Sequence, residues 1–390
     1  MRTYRTIPRG IWALGFVSLF MDTSSELVHS LLPVFMVTAL GASMTSVGIV
    51  EGIAESTALI VKVFSGVISD RLGKRKMLTV IGYGLAAITK PLFPLASSIG
   101  LVISARFIDR IGKGIRGAPR DALLSDLAPP EIRGASFGLR QALDTVGAFL
   151  GPLLAILGMW LLASDVRAVL WIAVVPAVLS VVILVFGVQE PVVKHEGTRR
   201  SMMSLRDLRD VGRGYWNVVI AGGILTLARF SEAFLLLKAH DTGVAMMFVP
   251  LVMVAMNLVY SLAAYPAGAV SDRISRRTVL LMGIGFLVLA DIVLGLSTNL
   301  ATLIIGVALW GLHMAFTQGL LAAQVADTTP SSLRGSAYGV FNLVSGIAML
   351  VASVVAGILW DSFGSQSTFL YGGIAAGCAF LWIYKMRAPS

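Results

Sequence analysis

Residues 66–76 read GVISDRLGKRK: they leave an apolar stretch, turn at Asp70, Arg71 and Gly73, and place three cations before the next apolar stretch begins. The pattern returns at residues 268–277 as GAVSDRISRR. Short charged turns between long apolar runs are typical of the loops of helical membrane proteins. The repetition indicates that the chain consists of two related halves.

A second pair of repeated stretches fixes the register between the halves. DLAPPEIRGASFG at residues 126–138 returns as DTTPSSLRGSAYG at residues 327–339, and the acid-base pair of the first loop recurs as Asp272 and Arg273. Two matches at nearly the same offset, each lying between apolar runs, favour duplication over a chance similarity of loop composition.

The composition places the chain in a bilayer. Hydrophobic residues make up 56%, charged residues only 13%, and the mean hydropathy is +0.84, whereas about a quarter of a soluble domain is charged. Most of the 31 Lys and Arg lie in loops on one side, so the net charge of +10 follows the positive-inside rule and does not indicate nucleic acid. Because the only cysteine is Cys378, an intrachain disulfide and a Cys-based metal cluster are excluded, and no cofactor is predicted.

Twelve apolar runs are long enough to cross a membrane at about 20 residues each. They occupy residues 11–40, 47–68, 77–96, 101–118, 137–162, 168–188, 216–237, 245–270, 279–296, 300–325, 337–359 and 368–384. An even number places both termini on one side, and the basic loops make that side cytoplasmic.

The predicted fold is an all-α membrane protein with twelve transmembrane helices in two pseudo-symmetric six-helix bundles. The first bundle covers residues 1–188 and the second covers residues 215–390, with a polar cytoplasmic linker at residues 189–214. We expect a monomeric, multi-pass protein of a bacterial or archaeal cytoplasmic (inner) membrane, with both termini in the cytoplasm.

These features resemble the major facilitator superfamily over essentially the whole chain. Residues 66–76 are similar to that family's GxxxDRxGRRK loop and differ from it at Lys74, while Ser275 replaces the expected glycine in the second copy. The resemblance implies a transporter whose two halves rock about a central site, so that access alternates between the two sides of the membrane.

Two further stretches resemble motifs of the drug-exporter-like proton antiporters in this family. RFIDRIGKGIRGA at residues 106–118 is similar to the proton-linked motif, and GAFLGPLLAILG at residues 147–158 is similar to the antiporter motif GxxxGPxxGG, with Ala155 and Ile156 at its final glycine pair. From these loops and this glycine-rich helix, the residues expected to gate the conformational change are Gly66, Asp70, Arg71, Gly73, Arg75, Arg133, Gly147, Gly151, Pro152, Asp272 and Arg273.

Many ionisable side chains fall inside the predicted spans, where each costs about 2.5 to 3.5 kcal/mol and usually faces a cavity or a partner. Asp22, Glu26 and His29 share one face of the first span by their spacing. The proton-coupling candidates are Asp22, Glu26, Glu55, Asp109 and Asp144. The substrate-cavity candidates are His29, Glu51, Arg106, Arg110, Lys113, Arg140, Arg229, Glu232, Asn257, His313 and Asn342.

The first half holds more of these charges than the second, which suggests that proton chemistry lies in the first half and that the second half reads the shape of the substrate. Asp22 and Glu26 lie one helical turn apart, so repulsion favours proton uptake by one of them. The alternative interpretation is that the charges are static ion pairs between helices.

The leading hypothesis is a secondary transporter that exports a small molecule, a drug-like compound or a metabolite, in exchange for protons. One alternative is efflux of a metal ion or metal chelate, for which Asp22, Glu26 and His29 offer oxygen and imidazole ligands. A proton-coupled importer is the second alternative. An enzyme is not predicted, because HExxH and P-loop motifs are absent from the sequence. A channel is disfavoured by the duplicated layout.

Overall fold

The computed structural model describes residues 7–190, 212–271, 274–317, 320–330 and 333–385. Within these ranges the secondary structure is helical and includes no β-strand. Most of the predicted linker at residues 189–214, with the pair Asp272 and Arg273, lies outside the described residues.

The first six crossings are built from seven α-helices. These are α1 (Arg9–Leu40), α2 (Met44–Leu72), α3 (Arg75–Thr89), α4 (Ile99–Leu127), α5 (Arg133–Leu161), and α6 (Val166–Ile172) followed by α7 (Val174–Gly187). Since α6 and α7 follow one another directly around Ala173, they form a single crossing.

The last six crossings are built from eight α-helices. These are α8 (Arg213–Ala228) followed by α9 (Ala233–Asp241), α10 (Leu251–Ser271), α11 (Arg276–Gly295), α12 (Leu300–Thr317) and α13 (Leu320–Asp327), α14 (Arg334–Phe363), and α15 (Ser365–Lys385). Counted over the described residues, this gives the predicted twelve transmembrane helices in two groups of six.

Nine crossings within the described ranges are long and apolar enough to span a membrane by length and composition alone. Their outward surfaces carry large apolar side chains, such as Phe186 at 83% exposure and Trp160 at 68%. Such side chains are suited to a lipid environment, whereas a soluble protein rarely exposes so large an apolar surface. The remaining crossings, α2, α3 and α4, hold many of the ionisable side chains described below.

Two predicted boundaries are wrong. The predicted turn at Asp70 and Arg71 is helical, because α2 continues to Leu72 and the chain turns only at Gly73, whose φ is +62°. Glycine adopts this left-handed conformation without the steric cost of a Cβ atom. The fourth crossing does not end at residue 118, because α4 continues to Leu127 and buries Leu123 and Leu124.

Among the described residues, non-α-helical turns interrupt the third and the seventh crossings within the spans predicted from the sequence. Lys90–Leu92 is a 3-10 turn after α3, since Pro91 lacks the N–H that would continue the α-helix. Residues 229–232 separate α8 from α9 without a proline. There the Ser231 N–H donates to Ser353 Oγ at 3.2 Å, and Ser231 Oγ accepts from the Ala233 N–H at the start of α9 at 3.2 Å.

The duplication inferred from the sequence is also seen in an ion pair that recurs in both halves. Arg75, at the start of α3, pairs with Asp126 near the end of α4. At the equivalent positions of the second half, Arg276 pairs with Asp327. The same ion pair therefore joins equivalent helices in both halves, in the register that the repeated stretches predict.

Contacts divide the chain into two compact units. Unit 1 comprises Met1–Phe35 and Thr57–Met202, and unit 2 comprises Met36–Ser56 and Met203–Ser390. The core of unit 1 contains Met21 of α1 and Tyr83 of α3, and a core cluster of unit 2 contains Tyr215 of α8 and Val340 of α14. The first part of α2 thus packs in unit 2, whereas the pattern of apolar runs alone assigns the whole second span to the first bundle.

In unit 2 the start of α2 packs closely on α14. A Cβ atom on Gly48 would lie 2.1 Å from the Ser353 carbonyl oxygen, and one on Gly357 would lie 2.4 Å from the Met44 carbonyl oxygen. Asp361 caps α2 by accepting the N–H groups of Met44 and Thr45 at 2.9 and 2.8 Å. The free N–H groups of the first turn are thereby satisfied by a carboxylate.

Replacing Asp361 by alanine is expected to lower the free energy of unfolding by about 1 kcal/mol, because the α2 cap is lost. Thermal melting of the protein purified in detergent would measure this change. Asp361→Asn should lose less, since its amide oxygen still accepts a hydrogen bond. An alanine variant that melts like the wild type would contradict the capping role.

Candidate functional site

The carboxyl group of Asp22 on α1 lies at the centre of a charged cluster in unit 1. Its Oδ1 atom is 3.9 Å from Nη2 of Arg116 on α4, and the charges of Asp144 on α5 and Lys113 on α4 also act on it. Arg116 additionally stacks over the Tyr83 ring, with 4.5 Å between guanidinium and ring centre. Three helices therefore bring two carboxyl groups and two cations together inside the membrane.

Asp144 has its own arginine neighbour one turn away on α5. Its Oδ1 atom is 3.5 Å from Nη1 of Arg140, whose Nη2 group donates to Gln141 Oε1 at 2.6 Å. A charge-assisted hydrogen bond is shorter, about 2.7 to 2.9 Å. The carboxyl groups of Asp22 and Asp144 thus have arginines nearby without being held by them in hydrogen bonds of ideal length.

Two glycines of α5 allow this approach. A Cβ atom on Gly147 would lie 2.5 Å from the Leu19 carbonyl oxygen, and one on Gly151 would lie 2.7 Å from the Thr23 carbonyl oxygen. Both neighbours are backbone atoms of α1, so α5 and α1 are in direct backbone contact, as small residues permit. Pro152, which the sequence places in the same seam, is buried inside α5.

Glu26 and His29 form a separate pair on α1, with 3.6 Å between Oε2 and Nδ1. Arg110 and Lys113 of α4 also act on the Glu26 charge. In the part of the chain that the structure describes, no three His, Cys, Asp or Glu side chains are placed to hold a metal ion. Asp22, Glu26 and His29 therefore do not form the ligand set that the metal-efflux alternative requires.

A fully buried ion pair joins the break after α3 to α4. Lys90 donates from Nζ to Asp109 Oδ1 at 2.9 Å and to Ser25 Oγ at 3.2 Å. The side chains of Lys90 and Asp109 are only 1% and 5% exposed. Arg106 and Arg110, both buried, also act on the Asp109 charge. Asp109 thus lies in a buried pair with Lys90, which suits a structural role.

In unit 2 the charges gather around Arg229, in the segment between α8 and α9. Glu232, Glu55 and Tyr260 act on the Arg229 guanidinium. Glu51 is fully buried, and its Oε2 atom lies 3.5 Å from Ser231 Oγ in the same segment. Non-helical backbone inside a membrane is tolerated where it is buried in protein or lines a cavity, and in transporters such breaks often mark the binding site.

The other predicted cavity residues of unit 2 have less polar surroundings. His313 donates its Nδ1–H to the Gly283 carbonyl oxygen at 2.9 Å, and the Arg229 charge also acts on it. Asn257 and Asn342 are half-buried on α10 and α14. A pocket between α10, α11, α12 and α13 is lined by Tyr260, Ala264, Ala267, Gly268, Val279, Ala315 and Leu320, so it includes none of the predicted cavity residues.

The predicted gating residues lie at the ends of the helices and along the α1 and α5 contact. Gly66 faces Ala118 of α4, with 3.5 Å between their Cβ positions, and Arg75 donates to the Ala122 carbonyl oxygen at 3.1 Å. Arg133 begins α5 and is exposed. The side chains of Asp70 and Arg71 lie outside the described part of the chain, as do Asp272 and Arg273.

Sequence reasoning missed two of the cations at this site. Arg116 was expected at the cytoplasmic end of the fourth span, but α4 continues for eleven residues beyond it, so Arg116 lies within the helix beside Asp22. The apolar residues Leu123, Leu124 and Leu127 are the signal that the helix continues. Lys90 is the partner of Asp109, and the adjacent Pro91 marks its position at a helix break.

Comparisons with known proteins agree with this architecture. The sequence model described as Major Facilitator Superfamily matches residues 14–237 and 218–390. A protein of Methanocaldococcus jannaschii described as an uncharacterised MFS-type transporter is 32% identical over 95% of this chain and 93% of its own length. The multidrug resistance protein MdtH of Salmonella arizonae is 26% identical over 86% of this chain and 82% of its own.

Solved structures share the fold at low sequence identity. A crystal structure of a mutant of the nucleoside transporter NupG superimposes with a TM-score of 0.81 and 14% identity, covering 97% of this chain and all of the other. At this identity the likeness concerns the fold alone.

Proposed function

Since the chain belongs to the major facilitator superfamily, a family of membrane transporters, we propose that it exports a small molecule in exchange for protons by alternating access. The observation that carries the proposal is the cluster in unit 1 in which Asp22 and Asp144 face one another beside Arg116 and Arg140. We also propose that it works as a monomer in the cytoplasmic membrane, with residues 189–214 as a cytoplasmic linker between two bundles.

Two carboxyl groups at close range are suited to exchanging a proton. Repulsion and burial both oppose a second negative charge, so one carboxyl group takes up a proton readily. Arg116 and Arg140 oppose this proton uptake when they approach Asp22 and Asp144. Their ion-pair distances of 3.9 and 3.5 Å leave room for closer pairing. A movement of α4 or α5 relative to α1 would change the proton affinity of the cluster, which is how helix motion would be coupled to proton exchange.

Substrate recognition is proposed for the charged segment of unit 2. Arg229 offers five N–H donors, and Glu55, Glu232 and Tyr260 surround it with acceptors. Such a site suits a compound that carries both donors and acceptors. The export direction is supported by the antiporter-like stretch at residues 147–158 and by the likeness to a multidrug resistance protein.

The test is gradient-driven transport in everted membrane vesicles, with ethidium, a nucleoside and a dipeptide as separate probes. For a probe that the wild type accumulates, Asp22→Asn and Asp144→Asn are expected to reduce accumulation to background while the protein level stays normal. Asp165→Asn is the matched control, because Asp165 is exposed and caps α6, a role that asparagine also fills.

Three outcomes would count against parts of the proposal. Undiminished accumulation in both Asp22→Asn and Asp144→Asn would exclude the carboxyl pair as the coupling site. Accumulation that is independent of the pH gradient would exclude proton exchange. Uptake in right-side-out vesicles, driven by an inward proton gradient, would replace export with import.

A further inference from the structure

Asp291 on α11 is a buried carboxyl group with no polar contact in the described part of the chain. Its exposure is 0%, and neither Oδ1 nor Oδ2 has a hydrogen-bond partner there. A buried polar atom without a partner is uncommon and calls for an explanation. The charged cluster of unit 1 does not include Asp291, so its role is a separate question.

The space around the carboxyl group is formed by a glycine and an aromatic ring. A Cβ atom on Gly372 of α15 would lie 2.7 Å from Asp291 Oδ2 and 2.9 Å from Phe230 Cε1. Gly372 therefore makes room for the carboxyl group and for the ring, which lie on the same side of α15. Any side chain at position 372 would force one of them to move.

Phe230 lies beside this site and belongs to the non-helical segment at residues 229–232. Its ring is 2% exposed and packs against Trp310, Phe234 and Phe369, with centroid distances of 5.6, 5.5 and 5.5 Å. Gly372 and the phenyl ring of Phe230, the two neighbours that lie beside the carboxyl group, offer it neither a side-chain donor nor a positive charge.

The ionisable groups on the neighbouring elements do not compensate Asp291. They are Tyr260 on α10, His313 on α12, Tyr371, Tyr384 and Lys385 on α15, and Arg229 and Glu232 beside Phe230. In the described part of the chain, none of them is within hydrogen-bond or ion-pair distance of the Asp291 carboxyl group. Placing an uncompensated carboxylate in such surroundings is far more costly than placing a neutral carboxylic acid there. The protonated form is therefore the one that fits.

We propose that Asp291 is a proton-binding site of unit 2, which keeps its proton while Phe230 covers it and releases it to water when the segment at residues 229–232 moves. Binding forms one O–H bond on the carboxylate, and release returns the proton to solvent and the negative charge to Asp291. The site is independent of the carboxyl pair on α1 and α5, and the proposal does not depend on which molecule is transported.

Infrared spectroscopy of the full-length protein in detergent tests the protonation state directly. At neutral pH the wild type is expected to show the carbonyl stretch of a protonated carboxyl group, and Asp291→Asn should lack that component. Asp165→Asn, which removes an exposed carboxyl group, should retain it. If Asp291→Asn retains the complete absorption, Asp291 is ionised and the proposal fails.

The rate of hydrogen–deuterium exchange of this carboxyl group, followed by the same infrared band, tests whether Phe230 shields it from water. Phe230→Leu keeps Asp291 but removes part of the ring above it, so exchange should become several-fold faster. Phe286→Leu is the matched control, since Phe286 lies on α11 and stacks on Phe316 instead. Equal exchange rates in Phe230→Leu and wild type would overturn the covering role. This variant also keeps the test open if Asp291→Asn does not fold.

Discussion

Asp109→Ala is expected to lower the free energy of unfolding by about 3–5 kcal/mol, because it leaves the Lys90 ammonium buried without its carboxylate. Lys90 is 1% exposed, and in the described part of the chain Ser25 Oγ at 3.2 Å would be its remaining hydrogen-bond partner. Removing one member of a buried pair costs far more than the pair itself contributes, since the desolvation of the remaining charge is no longer offset. The change would be measured by thermal or denaturant unfolding in detergent.

The matched control is Asp121→Ala, which also removes an aspartate from an ion pair on α4. Asp121 is 42% exposed and pairs with Arg120 at 3.0 Å, so solvent screens the interaction and the cost should stay below about 1 kcal/mol. A double variant, Lys90→Met with Asp109→Leu, should recover much of the loss, because it leaves no buried charge. If Asp109→Ala and Asp121→Ala unfold alike, the Lys90 pair does not stabilise unit 1.

The number and order of crossings follow from the sequence because the bilayer sets their length. Runs of apolar residues near 20 in length predict the twelve transmembrane helices, and the short loops at Gly41 and Gly73 adopt positive φ values of 65° and 62°. The ends of helices are harder to predict, since a helix can continue beyond the membrane. In α2 and α4 the helix continues through charged residues that were expected to end it.

The break at residues 229–232 has no signal in the sequence that compares with the proline after Lys90. It depends on Ser231, which exchanges helical backbone hydrogen bonds for contacts with Ser353 and with the start of α9. Ser353 is 122 residues away along the chain. Helical periodicity describes neighbours three and four residues apart and cannot report such a contact.

The residue types of the candidate site and the helix faces that carry them could be predicted from the sequence. Which of these side chains lie beside one another could not. Spacing alone groups Asp22 with Glu26, whereas the structure places Asp22 beside Asp144 and Arg116, and Glu26 beside His29. The side chains of one face of a helix point to different neighbours when two other helices pack against it. Their partners depend on tertiary packing, which the glycines of α5 determine.

Gly151→Ala is expected to destabilise the protein by about 3 kcal/mol, at the upper end of the usual cost of overpacking. The added Cβ would lie 2.7 Å from the Leu27 nitrogen and the Thr23 carbonyl oxygen, and 2.8 Å from Glu26 Cβ. Because two of these neighbours are backbone atoms, rotation of a side chain cannot relieve the contact, and α1 must move away from α5. Thermal melting in detergent would report the loss.

Gly138→Ala provides the control on the same helix. A Cβ at position 138 would have nothing within 4 Å, so alanine should be neutral or stabilise the protein by up to about 1 kcal/mol through its higher helix propensity. The two variants make the same chemical change and differ only in what faces the new methyl group. Moving α1 away from α5 would also separate Asp22 from Asp144, so Gly151→Ala should impair the proposed proton-driven transport at temperatures where the protein is still folded. If Gly151→Ala melts like Gly138→Ala, the contact between α1 and α5 is looser than the Cβ distances indicate, and the glycines cannot be what brings the two carboxyl groups together.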